Sequence, residues 1–397
     1  MAQINTDIII VGAGLVGLAA AIALAKQNKR VVLIDAKKQL CTMQSAWDDR
    51  VYALTPGSES WLKALDVWRH VESSRVNAIH AMHLWGGSDD PLILSDKDAN
   101  LLKLGVIIEN RNLMYALWQQ IGTLDVTVIT GVNCEFLEKE DQNIQLALQG
   151  DTKITAKLII AADGVNSWVR QQVNIAVKQK SFNQTAVVAN FSTEKNHQNI
   201  ARQWFLPHET LALLPLPNQM VSMVWSASTK KANELLRVSN KELANKVETQ
   251  TKYELGALEL VGEVLSFTLN QQTATQLIAE RVVLIGDAAH QIHPMAGQGV
   301  NLGFRDVMEL QNLLSTSHAL QDIGEYSFLR NFERARSADI ATMNTLATGL
   351  DYLFAGESGA VKKAINWGLQ QLNHQTTLKK LLIQQVASIS HRIERVK

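Results

Sequence analysis

The chain has 397 residues, with 38 Lys and Arg balanced by 38 Asp and Glu, so its formal net charge is zero. Hydrophobic residues make up 46% and charged residues 19%, with 22 Gly and 6 Pro, which excludes disordered, collagen-like and disulfide-stapled classes and predicts one large or a few smaller globular domains. The balance gives no case for nucleic acid as a partner, and the two cysteines, Cys41 and Cys134, lack metal-ligand spacing, so neither a metal site nor a disulfide framework is expected.

In chain order, Met1 to Asp7 lack the order of a secretory signal, which together with reduced thiols predicts a cytoplasmic protein. From Ile8 to Ala25 the chain is apolar over about the length at which a membrane helix becomes a candidate. Its internal order favours another reading. Ile8-Ile9-Ile10-Val11 is a β-branched strand, Gly12-Ala13-Gly14-Leu15-Val16-Gly17 a tight turn, and the Ala/Leu-rich run to Lys26 a helix. Arg30 to Asp35 adds a second strand ending in an acid. Strand, glycine turn, helix, strand and acid form a dinucleotide-binding unit. Gly12 permits the turn, Gly14 lets backbone approach a pyrophosphate, Gly17 lets helix and strand pack, and the helix N-terminus attracts phosphate. Asp35 is placed to bind ribose hydroxyls and repel a 2′-phosphate, favouring NAD or FAD over NADP.

Lys157 to Ala162 reads as a buried strand running into Asp163-Gly164-Val165-Asn166-Ser167. From about Phe182 to Phe267, the runs Ala186–Phe191, Ala201–Leu206, Leu211–Leu216 and Met220–Trp225 read as sheet strands. Arg281 to Ile285 is another strand, followed by Gly286-Asp287-Ala288-Ala289-His290 and then by Pro294-Met295-Ala296-Gly297-Gln298-Gly299-Val300-Asn301.

The three glycine-bearing blocks resemble the dinucleotide fingerprint, the Asp-Gly motif and the Gly-Asp motif of single-component flavoprotein aromatic hydroxylases. The block from His290 to Asp306 is similar to that of the ubiquinone-biosynthesis hydroxylases. Asp48 to Leu54, Glu109-Asn110-Arg111, Leu213 to Leu216 and Gly349 to Phe354 have counterparts there too, so the resemblance spans nearly the whole chain. It implies an α/β fold in which a Rossmann-like FAD-binding domain (1–75, 101–180 and 268–345) is interleaved with a β-sheet substrate domain (76–100 and 181–267). A helical C-terminal region (346–397) follows, as in p-hydroxybenzoate hydroxylase-like proteins.

The resemblance also implies a function. FAD is reduced by visiting NAD(P)H and adds O₂ as a hydroperoxide, and the distal oxygen passes to the ring of a polyprenylated phenol. The competing readings are a hydroxylase or reductase for another phenolic or prenyl substrate on the same fold, and a non-catalytic FAD-binding component of a lipid-biosynthesis complex. The expected cofactor contacts are Gly12, Gly14, Val16, Gly17, Asp35, Arg50, Arg111, Asp163, Gly286, Asp287, Ala296, Gly297, Gly299, Val300 and Asn301. Asp287 is placed for the ribityl chain, and backbone amides near Gly297 to Gly299 for the flavin pyrimidine edge. Arg50, His293 and Pro294 are the catalytic candidates, and neither His290 nor His293 shows a partner for base work. Trp204, Phe205, Leu213, Leu214, Pro215 and Trp225 are candidates for an apolar substrate pocket.

Between Ala360 and Lys397, seven basic residues face Glu394 alone, so the rest of the chain is acidic. Val361, Ile365, Leu369 and Leu372, then Leu378, Leu382, Val386, Ile389 and Ile393, give apolar stripes at helical spacing, with Trp367 off the first. A basic face with Lys362, Lys363, Lys379 and Lys380 suits either a solvated cap or contact with an anionic membrane or an acidic partner on the inner membrane face.

Overall fold

The computed structural model describes residues 2–38, 42–86, 90–292, 299–318, 320–355, 371–373 and 375–387. At its centre lies a six-stranded sheet in the order Ile278–Ala279, Val282–Leu284, Leu158–Ala161, Ile8–Val11, Val31–Asp35, Val126–Thr130. All neighbours are parallel except the first pair, which is antiparallel. Parallel strands are covered on both faces, which is why Ile8-Ile9-Ile10 and Leu158-Ile159-Ile160 need unbroken apolar sequence and are fully buried. Helix Leu15–Ala25 is sealed in the same core and packs on helices Gly299–Ser315 and Asn110–Ile121. A four-stranded sheet (Ala2–Asn5, Thr152–Ala156, Ile144–Leu148, Cys134–Lys139) flanks this layer, and a three-stranded one (Val51–Leu54, Gly105–Glu109, Val76–Ile79) leads out of it.

The runs read as strands between Ala186 and Trp225 lie in an eight-stranded sheet. Its order is His290–Gln291, Leu258–Ala274, Val177–Thr193, Met220–Ser228, Glu209–Leu216, Ile200–Leu206, Ala81–Trp85, Leu92–Ser95. Two helices not anticipated from the sequence, Thr229–Arg237 and Asn240–Gln250, cover one face of it. Ser239 and Glu242 form a capping box at the second.

Helix Tyr326–Ala355 packs on Gly299–Ser315, and helix Thr376–Ala387 docks on the short helix Asp96–Ala99. The docking reverses the expected stripe. Leu378 and Leu382 face outward, 49% and 42% exposed, while Lys379 and Ile383 face inward, 8% and 4% exposed. Asp98 receives Lys379 at 3.3 Å, and Leu92, Leu94 and Ala99 receive Ile383, so an ion pair and a small apolar socket set the rotation. Lys379 therefore does not belong to a solvated basic face. The stripe around Val361 to Leu369, Trp367, and Ile389 to Lys397 lie outside the described residues. Among the described residues, no helix is long and apolar enough to cross a membrane.

Candidate functional site

The fingerprint turn is built by close approach. Gly12 has φ +106°, and a Cβ there would lie 2.3 Å from the Ala162 carbonyl oxygen. Gly14 has open space around its Cβ position, and the first turn of the helix it caps carries no acid, so the free amides face an approachable region. Asp35 sits at the end of its strand, its carboxylate accepting from the Ala13 amide at 2.6 Å and the Lys37 amide at 2.7 Å.

The Gly286-Asp287 turn meets this unit through Val16. A Cβ on Gly286 (φ +57°) or on Gly303 would lie 3.3 or 2.6 Å from Val16 methyl groups. The C-terminal block is thus locked against the N-terminal helix across most of the sequence. Asp287 is exposed yet closely surrounded by protein, at the floor of a cleft, and the desolvation this brings raises its carboxyl pKa, partly offset by His290 and Arg50. Arg50 lies over the Tyr52 ring at 5.3 Å, and its amide is held by Asp48 at 3.1 Å. Burial pushes the Tyr52 hydroxyl up to about 12, with Arg50 working against that and Asp287 and Asp48 adding to it. Arg50, Tyr52, Asp287 and His290 therefore share one electrostatic neighbourhood.

Ser167 caps the helix that begins at Trp168, and Asp163 adds to the cap by accepting from the Val169 amide at 3.1 Å, while its Oδ1 is buried without a partner among the described residues. Burial raises its pKa against the pull of these hydrogen bonds. Arg170, not singled out from the sequence, ties this motif to the next. It donates to the Val165 carbonyl and the Ala288 carbonyl, both at 2.8 Å. Arg111 is a loop clamp: its amide donates to Asp48 and its guanidinium to the Ala46 carbonyl. Arg75 reinforces that loop, pairing with buried Glu109 and donating to the carbonyls of Gln44, Ser45 and Ala46.

Helix Gly299–Ser315 carries Val300, which is buried. The Asn301 side chain bridges Ala53 and Thr55, donating to the carbonyl of one and accepting from the amide of the other. His293, Pro294, Ala296 and Gly297 lie outside the described residues.

The six pocket candidates do not gather on one surface. Along a strand, side chains alternate between faces. Trp204, Leu213 and Trp225 point into the core under helices Thr229–Arg237 and Asn240–Gln250, where Trp204 stacks on Trp85 and the Trp225 indole donates to Glu209 at 2.8 Å. Pro215 shares that parity. Leu214, with the parity of Leu216, instead packs toward Trp47, Val51, Ala53 and Ile107, and Phe205 shares the parity of Ala201 on this side. Leu214 thus shares a cluster with Val51, the residue after Arg50.

His290 has the partner that the sequence did not reveal: Asp306, 16 residues on, at 2.7 Å. Among the described residues no cluster of His, Cys, Asp and Glu could hold a metal.

Compared with known proteins, residues 5–345 match the family described as FAD binding domain. The chain is 31% identical to the ubiquinone biosynthesis monooxygenase COQ6 of Homo sapiens, over 95% of this chain and 91% of that protein. It is 32% identical to the 3-demethoxyubiquinol 3-hydroxylase of Escherichia coli (strain K12), over 89% and 90%. Among solved structures, p-nitrophenol 4-monooxygenase PnpA from Pseudomonas putida DLL-E4 matches with TM-score 0.79 at 16% identity, over 98% of this chain and 99% of that one. An HpxO variant from Klebsiella pneumoniae complexed with FAD matches with TM-score 0.75 at 15% identity, over 96% and 99%; at such identities the likeness is one of fold. The chain belongs to the FAD binding domain family and, within it, to the FAD-dependent flavoprotein hydroxylases of ubiquinone biosynthesis.

Proposed function

We propose that this chain hydroxylates the aromatic ring of a polyprenylated phenol on the route to ubiquinone, using FAD, O₂ and NAD(P)H. The observation that carries the reading is the junction at Val16, where Gly286 and Gly303 close on the fingerprint helix and bring both motifs to one cleft. The residues present fit FAD. In this reading, the amides of Gly14 to Gly17 hold its pyrophosphate, Asp35 its ribose and Asp287 its ribityl chain, with Val300 and Asn301 lying toward the ring.

Bound FAD supplies electron transfer and oxygen activation, which side chains cannot. The chain supplies position and a controlled environment. Asp163 and Arg170 hold the Asp-Gly loop against the Gly-Asp turn. Arg50, over Tyr52, contributes a fixed positive charge at the cleft mouth, where negative charge develops in the reaction. The apolar surface of Leu214, Val51 and Ala53 excludes water from the substrate ring and accepts the start of a prenyl tail. His293 and Pro294 stay proposed neighbours of the reacting ring. The outward leucines of helix Thr376–Ala387, with Lys380 and the basic residues near the C-terminus, suit peripheral contact with an anionic bilayer carrying the substrate.

The test is purification with bound yellow cofactor, NAD(P)H oxidation with a prenylated phenol, and quinone profiling of a deletion strain. Stimulated oxidation and an accumulated hydroxyl-deficient intermediate are expected. An unchanged ubiquinone pool in the deletion strain sinks the proposal, and FAD binding without any turnover favours a non-catalytic component.

A further inference from the structure

Asp306 lies on helix Gly299–Ser315 and is 1% exposed. Its Oδ2 accepts from the Gly286 amide at 2.9 Å and from His290 Nε2 at 2.7 Å, and its Oδ1 accepts from Arg336 Nε at 2.7 Å. One carboxylate thus joins the Gly-Asp turn, the strand after it and two helices. Burial alone disfavours its charge. His290 and Arg336 outweigh burial, with the Gly286 hydrogen bond, and hold the carboxyl below its ordinary range. An ionised carboxylate only accepts, so Nε2 is the protonated nitrogen of His290. His290 is 2% exposed, and its Nδ1 is buried with no partner among the described residues. A buried orphan of this kind marks a position where something besides core packing sets the residue type.

Beyond Arg336, Asp339 pairs with both Arg336 and Arg305. That outer half of the network does not touch the turn. The inner half does, and Asp287 projects from the turn it holds.

We propose that His290 and Asp306 are positioning residues for FAD: through the Gly286 amide they fix the turn that presents Asp287 to the cofactor. The inference rests on the reading of this cleft as the FAD site and adds residues that do not themselves touch the cofactor. Asp306→Asn keeps the size of the side chain and removes the charge that grips Gly286, His290 and Arg336 together. His290→Gln retains a nitrogen donor at the Nε2 position, and His290→Phe retains only the ring.

The experiment titrates FAD into each apo-protein by flavin fluorescence, records the bound-flavin absorption spectrum, and measures the melting temperature without FAD. Asp306→Asn and His290→Phe are expected to weaken FAD binding by about tenfold, the loss of one charge-assisted hydrogen bond, and to shift the flavin spectrum. His290→Gln is expected to restore affinity, and Asp339→Asn to lower the melting temperature with FAD affinity intact. If Asp306→Asn fails to fold, the His290→Gln and His290→Phe pair decides the matter. Equal affinity in that pair, or parallel losses of affinity and melting temperature in Asp306→Asn and Asp339→Asn, overturns the proposal and leaves the hydroxylase reading standing. A wild-type chain that takes up no FAD overturns the reading beneath it.

Discussion

Gly17 faces Gly12 so closely that a Cβ would lie 1.9 Å from the Gly12 carbonyl oxygen and 3.1 Å from Ala162 Cβ. Backbone on that side cannot step aside without moving the sheet. Gly17→Ala is expected to cost about 1–3 kcal/mol by overpacking, read as a lower melting temperature, with a loss of FAD uptake. Asp163 gives a pH-dependent case. Its carboxyl pKa is raised in the folded chain, so the folded state binds a proton more readily than the unfolded one. The resulting penalty is fully present above the folded pKa and fades as pH falls toward the unfolded value. Asp163→Asn keeps a capping oxygen and removes the buried charge. At neutral pH its melting temperature is expected to match or exceed that of the wild type, and acidification should remove any advantage. An advantage that grows on acidification rules this account out. At this scale Gly12 and Gly17 were legible in sequence because close backbone approach forces them, and Asp35 because it ends the second strand at the spacing of the motif. The His290–Asp306 pair was not, since no local rule links a strand-end histidine to a helix residue 16 positions away.

The eight-stranded sheet shows the same division among elements. Its strands could be read from short β-branched and aromatic runs, but the face each side chain takes depends on what covers the sheet. Helix Asn240–Gln250 could have been found from the Ser239-to-Glu242 capping box, and with it the buried side of the sheet. The consequence can be tested with paired variants. Trp225→Ala is expected to cost about 3–5 kcal/mol in stability while leaving KM for a prenylated phenol nearly unchanged. Leu214→Ala, on the opposite face, should raise KM with a smaller loss of stability. Denaturant unfolding alongside steady-state kinetics separates the two, and a large KM change in Trp225→Ala would place substrate on the wrong face. Helix Thr376–Ala387 carries the same lesson: a periodic stripe identified the helix but not its outward side, which Asp98 and its ion pair with Lys379 determine.

For the molecule as a whole, zero net charge conceals a basic C-terminal end and an acidic remainder. Within that stretch of sequence, Leu378, Leu381 and Leu382 are 49%, 57% and 42% exposed on one helix, and Leu102, just after the short helix on which it docks, is 93% exposed. A surface of this composition should bind anionic vesicles more strongly than neutral ones and lose that preference at high salt. Co-sedimentation is expected to fall when Lys362, Lys363 and Lys380 become Glu, and again when Leu378, Leu381 and Leu382 become Ser. Unchanged sedimentation in both variants removes the membrane from the account. The fold class was legible because it rests on three motifs in order. The whole-molecule surface was not, because exposure is decided by docking between segments far apart in sequence.

The central sheet also bears on how the protein is made. Leu158–Ala161 gains its second neighbour only when Val282–Leu284 arrives, after the chain that forms most of the eight-stranded sheet. At about 5–20 residues per second, a nascent chain holds this wholly apolar strand as an open edge for roughly ten seconds. Shielding of that edge during synthesis is therefore expected to affect cellular yield. Substitutions that weaken Val282–Leu284 should appear first as aggregated product, before any change in the turnover of the molecules that complete the sheet.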